Sequence, residues 1–184
     1  MVDSQIIEFK EYVYLMLNKP KGYISATEDR SMSTVLDLVP YEYLHRNLFP
    51  AGRLDKDTTG LMIITDDGVF AHNILSPQKH ISKTYNVTID IPMTEEMVQG
   101  FKEGVQLIDG ECKTAELKIT GTYTGVVILT EGRYHQIKRM FGCFGAEVLE
   151  LKRTRMGNFK LPEDLAEGES RELTEEELNL IKEK

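Results

Sequence analysis

Ala51-Gly52-Arg53-Leu54-Asp55-Lys56-Asp57-Thr58-Thr59-Gly60 runs directly into Leu61-Met62-Ile63-Ile64-Thr65 and closes on Asp66-Asp67-Gly68. The first ten residues are mostly polar and small. The next five are apolar and partly β-branched, which predicts a strand with Asp66-Asp67-Gly68 as its turn. A carboxylate, Asp55, and a guanidinium, Arg53, therefore stand two residues apart beside a strand. A nearby cation keeps a partly buried carboxylate ionised, and such a carboxylate can act as a nucleophile. A surface ion pair is the blander reading, and chemistry alone favours it.

The aspartates of this stretch also suggest a metal loop, since Asp55-x-Asp57-x-Thr59-Gly60 matches the start of a calcium site and Asp66 falls at its twelfth position. That position calls for a bidentate glutamate, and the loop calls for flanking helices. Here strand-forming residues occupy its middle, so no metal site is expected. Cys112 and Cys143 form no C-x-x-C pair and have no histidine cluster beside them. They read as ordinary reduced thiols, and a structural zinc is not expected.

On the N-terminal side, Tyr12–Leu17 reads as a buried strand, broken by the loop Asn18-Lys19-Pro20-Lys21-Gly22 with its two lysines. Ser33 is placed to cap a short helix over Thr34–Leu38 that Pro40 ends. On the C-terminal side, Val69–Leu75 reads as a short helix. Lys83–Ile91 reads as an alternating strand that carries Tyr85. Thr94 opens a helix to about Lys102, with Glu95 and Glu96 in its first turn. Lys113–Thr120, Gly125–Thr130 and Ala146–Lys152 are predicted strands. Tyr134–Phe144 has helical spacing, with Ile137, Met140, Phe141 and Phe144 on one face, and Thr174 caps a last helix. Strands with interspersed helices and no regular βαβ rhythm predict an α+β fold on a mixed or antiparallel sheet.

The 184 residues carry a net charge of −8, which argues against a nucleic-acid partner on average. The distribution argues otherwise. Residues 131–160 hold seven Lys/Arg against three Asp/Glu, while residues 161–184 hold three against nine. Phosphate contacts are made by patches, so a basic surface on an acidic protein is allowed. In Glu131–Met140, helical spacing would put Tyr134 with Lys138 and His135 with Arg139. This segment reads either as a phosphate-binding helix start or as a solvated amphipathic helix. Tyr85 alone reads as a core or sheet-face residue, with base stacking the less common use. No apolar run approaches the roughly 18 residues of a membrane span. Met1-Val2-Asp3-Ser4-Gln5 has no signal-peptide character, so a cytoplasmic protein is expected.

Taken together, these segments resemble the pseudouridine synthase family, in the branch acting on ribosomal RNA and nearest its small-subunit synthase A group. The resemblance runs from about Tyr14 to Glu177. It rests on Asn18–Tyr23, on Ala51–Asp55 through Gly60, on Lys83-Thr84-Tyr85, on Glu131–Met140 and on Arg155-Met156-Gly157. Phe101–Leu107 and Leu173–Glu177 are similar to that group too. The resemblance implies an α+β catalytic fold with a mixed, largely antiparallel sheet and a cleft across it. It implies Asp55 as nucleophile, Tyr85 against the target base and Lys138 paired with the aspartate. Many relatives carry Arg at that last place, and Lys keeps the charge but loses bidentate pairing. Arg53 is expected to contact RNA or help displace the nucleotide. Lys19, Lys21, Arg133, His135, Gln136, Arg139 and Arg153 are the further RNA-contact candidates.

Isomerisation needs no redox change and no energy source, so no cofactor is implied. The implied partner is ribosomal RNA, free or in an assembling subunit, with 16S RNA first and 23S RNA as the alternative. A monomer is expected. A non-catalytic RNA-binding or assembly factor on the same fold is the rival reading, and a metal-dependent hydrolase the more distant one. Members of the group begin with a small RNA-binding module. Residues 1–12 read as the linker or remnant of one, and residues 13–184 as the catalytic domain.

Overall fold

The computed structural model describes residues 9–184. In chain order its elements are β1 (Tyr14–Lys19), β2 (Phe49–Pro50), β3 (Thr59–Thr65), α1 (Gly68–Leu75), β4 (Lys83–Ile89), α2 (Glu95–Glu103), β5 (Gln106–Leu107) and β6 (Gly110–Glu111). They continue with β7 (Glu116–Ile119), β8 (Thr124–Leu129), α3 (Gln136–Gly142), β9 (Val148–Met156), β10 (Phe159–Lys160), β11 (Ser170–Glu172) and α4 (Glu175–Lys182). The main sheet runs β11-β1-β3-β9-β4-β8-β7, with β2 on β3 and β10 on β9. Among the described strands only β3 and β9 pair in parallel, and the other strand pairings are antiparallel. The expected α+β fold with a mixed, largely antiparallel sheet is therefore found.

The centre of the sheet is covered on both faces, which explains why β1 and β3 read as continuous apolar runs. Leu15, Leu17, Met62 and Ile64 face one core, shared with Phe101 of α2 and Met140 and Phe141 of α3. Met16, Leu61 and Ile63 face the other, shared with Phe70 and Ile74 of α1 and Ile181 of α4. β4 instead alternates, with Lys83, Tyr85, Val87 and Ile89 buried on one side.

At the parallel seam Gly60 lies opposite Arg153. Its φ is +107°, and a Cβ there would come within 2.1 Å of the Arg153 carbonyl oxygen. Glycine at this place lets β3 and β9 approach, and so fixes the loop before β3 against the middle of the sheet.

Several boundaries differ from the sequence expectation. Asp66-Asp67-Gly68 is more than a turn. Asp67 accepts from the Phe70 amide as the N-cap of α1, while Asp66 accepts from the Val13 amide and pairs with Arg46 at 2.7 Å. The helix expected over Tyr134–Phe144 starts only at Gln136, because His135 is left-handed with φ +46°. The face expected to join Tyr134 with Lys138 and His135 with Arg139 therefore does not form as drawn. The short strands β2, β5, β6, β10 and β11 have too few residues for a period to be read. Of the expected N-terminal linker, residues 1–8 lie outside the described residues.

Candidate active site

Asp55 lies in the loop between β2 and β3, which is built as a cage. Lys19, fully buried at the end of β1, donates to the carbonyls of Pro20, Asp55, Lys56 and Thr58 at 3.2, 3.0, 3.2 and 2.7 Å. The Ser25 hydroxyl donates to the Leu54 carbonyl at 2.7 Å and accepts from the Leu54 amide at 2.9 Å. The Gly22 amide donates to the Lys56 carbonyl at 2.9 Å. The Leu54 amide and the Leu54, Asp55 and Lys56 carbonyls are thus tied down, while the Asp55 side chain faces the cleft. Burial pushes the Lys19 pKa down to about 8, opposed by the nearby Asp57 and Asp55 charges.

Across from this loop the start of α3 brings up Lys138 and His135. Lys138 Nζ sits 3.2 Å from Asp55 Oδ2 and 2.7 Å from Asp57 Oδ1. Burial works against the Lys138 charge, but the hydrogen bonds to Asp57 and Asp55 outweigh it and hold its pKa above the ordinary lysine value. His135 Nε2 lies 3.2 Å from Asp55 Oδ1, and its ring stacks on Tyr134 at 3.9 Å. The left-handed backbone of His135 is a costly conformation for a residue with a side chain, and such conformations gather at functional sites.

These groups open on a cleft of about 690 Å³, lined among others by Arg53, Asp55, Lys83, Tyr85, Lys138 and Arg153. Asp55, Tyr85 and Lys138, far apart in sequence, are therefore brought to one cavity. Arg53 is exposed at its edge.

The other sequence candidates fall into two groups. Lys21 is exposed and pairs with Glu150 at 2.9 Å. Arg133 and Arg139 both reach Asp109 at 2.8 Å, so one carboxylate partly neutralises the pair and anchors the β5–β6 hairpin to α3. Lys19, Gln136 and Arg153 are buried, and of these Gln136 and Arg153 line the cleft. Gln136 accepts from the Arg133 amide and donates to Glu131, which closes the turn before α3. Sequence reasoning missed Ser25 and the contact of His135 with Asp55. Neither sits at a helical or strand period with its partner, so no periodic signal marked them.

Comparison with known proteins decides the family. Residues 13–142 match the family described as RNA pseudouridylate synthase. The chain belongs to the pseudouridine synthase family. A solved pseudouridylate synthase superimposes with a TM-score of 0.88 at 40% identity, over 94% of this chain and 75% of that one. An uncharacterised RNA pseudouridine synthase of Bacillus subtilis is 47% identical over 99% of this chain and 78% of its own. Ribosomal small subunit pseudouridine synthase A of Escherichia coli is 46% identical over 90% of this chain and 72% of its own. The chain is thus a pseudouridine synthase, an isomerase, and the caged aspartate of this synthase sits in the loop that the family match covers.

Proposed function

We propose that this synthase isomerises one uridine of ribosomal RNA, that of the small subunit, with Asp55 as its nucleophile. The observation that carries the reading is the caged Asp55 carboxylate, facing the cleft between Lys138 and His135. The similarity to small-subunit synthase A supports the choice of 16S RNA. The target uridine leaves its stack to reach Asp55, at a cost of roughly a few kcal/mol.

Asp55 either attacks the ribose or removes a proton from it as the glycosidic bond breaks. Lys138 holds the carboxylate in place and balances its charge. Tyr85 packs against the uracil, and its hydroxyl helps take the proton from carbon 5 once the new bond forms. Arg53, at the cleft edge, meets the displaced strand. The isomerisation leaves no net redox change, so the chemistry calls for no electron carrier.

The test is pseudouridine mapping of ribosomal RNA in cells lacking the gene, complemented with the wild-type chain or with Asp55→Ala. A 16S site that returns only with the wild type supports the reading. A 23S site corrects the substrate and keeps the chemistry. No returning site, with RNA binding intact, favours the non-catalytic factor.

A further inference from the structure

β4 and β9 run antiparallel with Tyr85 opposite Arg153. Side chains alternate along a strand, so Lys83 shares the buried face of Tyr85. Lys83 is 6% exposed and Arg153 1%, and both line the cleft that holds Asp55. Arg153 Nε donates to the Leu61 carbonyl at 2.8 Å, which fixes the guanidinium, yet its buried Nη2 has no protein partner among the described residues. The charged neighbour acting on Lys83 is Arg153 itself, a like charge. Burial first, and then this neighbour, lower the Lys83 pKa to about 8. Two buried cations with no ion pair among the described residues are costly to the free protein. Such an arrangement belongs where negative charge arrives during the reaction.

We propose that Lys83 and Arg153 are further catalytic residues, which bind the ring oxygens of the uracil as it detaches from the ribose. The inference rests on the Asp55 reading given above. When the C1′–N1 bond breaks, its electron pair stays with the ring. The uracil becomes a monoanion, its charge spread over N1, O2 and O4. The sugar is balanced either by a C1′ bond to Asp55 or by loss of the C2′ proton to it. After the ring turns, C5 supplies the pair for the new bond to C1′, and Asp55 is released or returns the C2′ proton. The C5 proton then leaves and N1 takes one up, so nothing is gained or lost overall. Cations at the ring oxygens favour the detached anion over the neutral uridine, and so speed the cleavage.

An RNA phosphate is the other anionic oxygen such cations could meet, and a rate–affinity split separates the two. Lys83→Met keeps most of the length of the side chain and removes a buried charge, a change that a fold tolerates. Pseudouridine formation is followed in single turnover at saturating ribosomal RNA fragment, beside RNA affinity and thermal melting. The expected result is a rate lower by about 100-fold with affinity within about two-fold of wild type. Lys83→Arg, which restores the charge, is expected to recover at least about ten-fold of that loss.

A Lys83→Met rate within about three-fold of wild type overturns the proposal. So does an affinity loss at unchanged saturating rate, which places the cations on a phosphate. An Arg variant that melts like wild type but is no faster than Met overturns it as well. Asp55→Asn run alongside separates the two claims: full activity there overturns the role of Asp55, whereas a near-normal Lys83→Met overturns only this one.

Discussion

Lys138 lies closer to Asp57, at 2.7 Å, than to Asp55, at 3.2 Å. The cation that pairs with the Asp55 carboxylate is thus shared with a second, more exposed one. Asp57 has a side chain 68% exposed, against 27% for Asp55, so the Asp57 arm is the more screened by solvent. Asp57→Asn should leave the single-turnover rate within about three-fold of wild type, as expected for an exposed pair. Lys138→Met should lower it by about 100-fold or more, because it leaves Asp55 without its balancing charge. Equal losses in the two variants would make Asp57 a working part of the site.

Lys19 should prove a structural residue. Lys19→Met removes one donor from four backbone carbonyls and should cost about 2–4 kcal/mol in urea unfolding. Activity should fall with it even under conditions where the variant is folded, since the cage around Asp55 opens. A fully active and stable Lys19→Met would show that Ser25 and the Gly22 amide hold the loop alone.

Gly60→Ala tests the seam between β3 and β9. The added Cβ meets the Arg153 backbone at 2.1 Å, and the backbone φ of +107° disfavours any side chain. A loss of about 3 kcal/mol or more is expected, read as a fall in melting temperature. A melting temperature unchanged from wild type would mean the two strands separate at little cost.

The pH dependence of stability follows from two buried lysines and two half-buried tyrosines. Lys19 and Lys83 both have pKa values lowered to about 8, chiefly by burial. Above that pH the unfolded chain binds more protons than the folded one, so unfolding becomes harder as pH rises toward about 10. Tyr14 and Tyr43 act in the opposite sense. Burial, with hydrogen bonds to Asp67 and Glu172, raises both phenols well above the ordinary tyrosine value. Above about pH 10 the unfolded tyrosines ionise while the folded ones do not, and stability falls. The urea midpoint should therefore rise from pH 8, pass a maximum near pH 10 and decline. Lys83→Met should flatten the rising part; an unchanged rise would assign it to Lys19 alone.

Much of the fold was legible because local rules coincide with the final structure. The apolar run Leu61–Thr65 forms most of β3, Thr94 and Thr174 cap α2 and α4, and the alternation of Lys83–Ile89 marks the buried face of β4. Legibility failed where a side chain serves a distant backbone. Lys19 and Arg153 look like surface cations in sequence, yet one holds the carbonyls of a loop 36 to 39 residues away and the other reaches the Leu61 carbonyl. Gln136 looks like part of a basic helix face but closes the turn on Glu131.

The sequence by itself determined the longer elements and the family resemblance, since these depend on local order and spacing. Only the tertiary structure decided which cations are exposed and which are buried. Burial and backbone contact depend on which strands lie side by side. The parallel seam of β3 with β9, and the antiparallel pairing of β9 with β4, bring Asp55, Tyr85, Lys83 and Arg153 to one cavity. Those pairings join segments about 60 to 90 residues apart, beyond the reach of any local period.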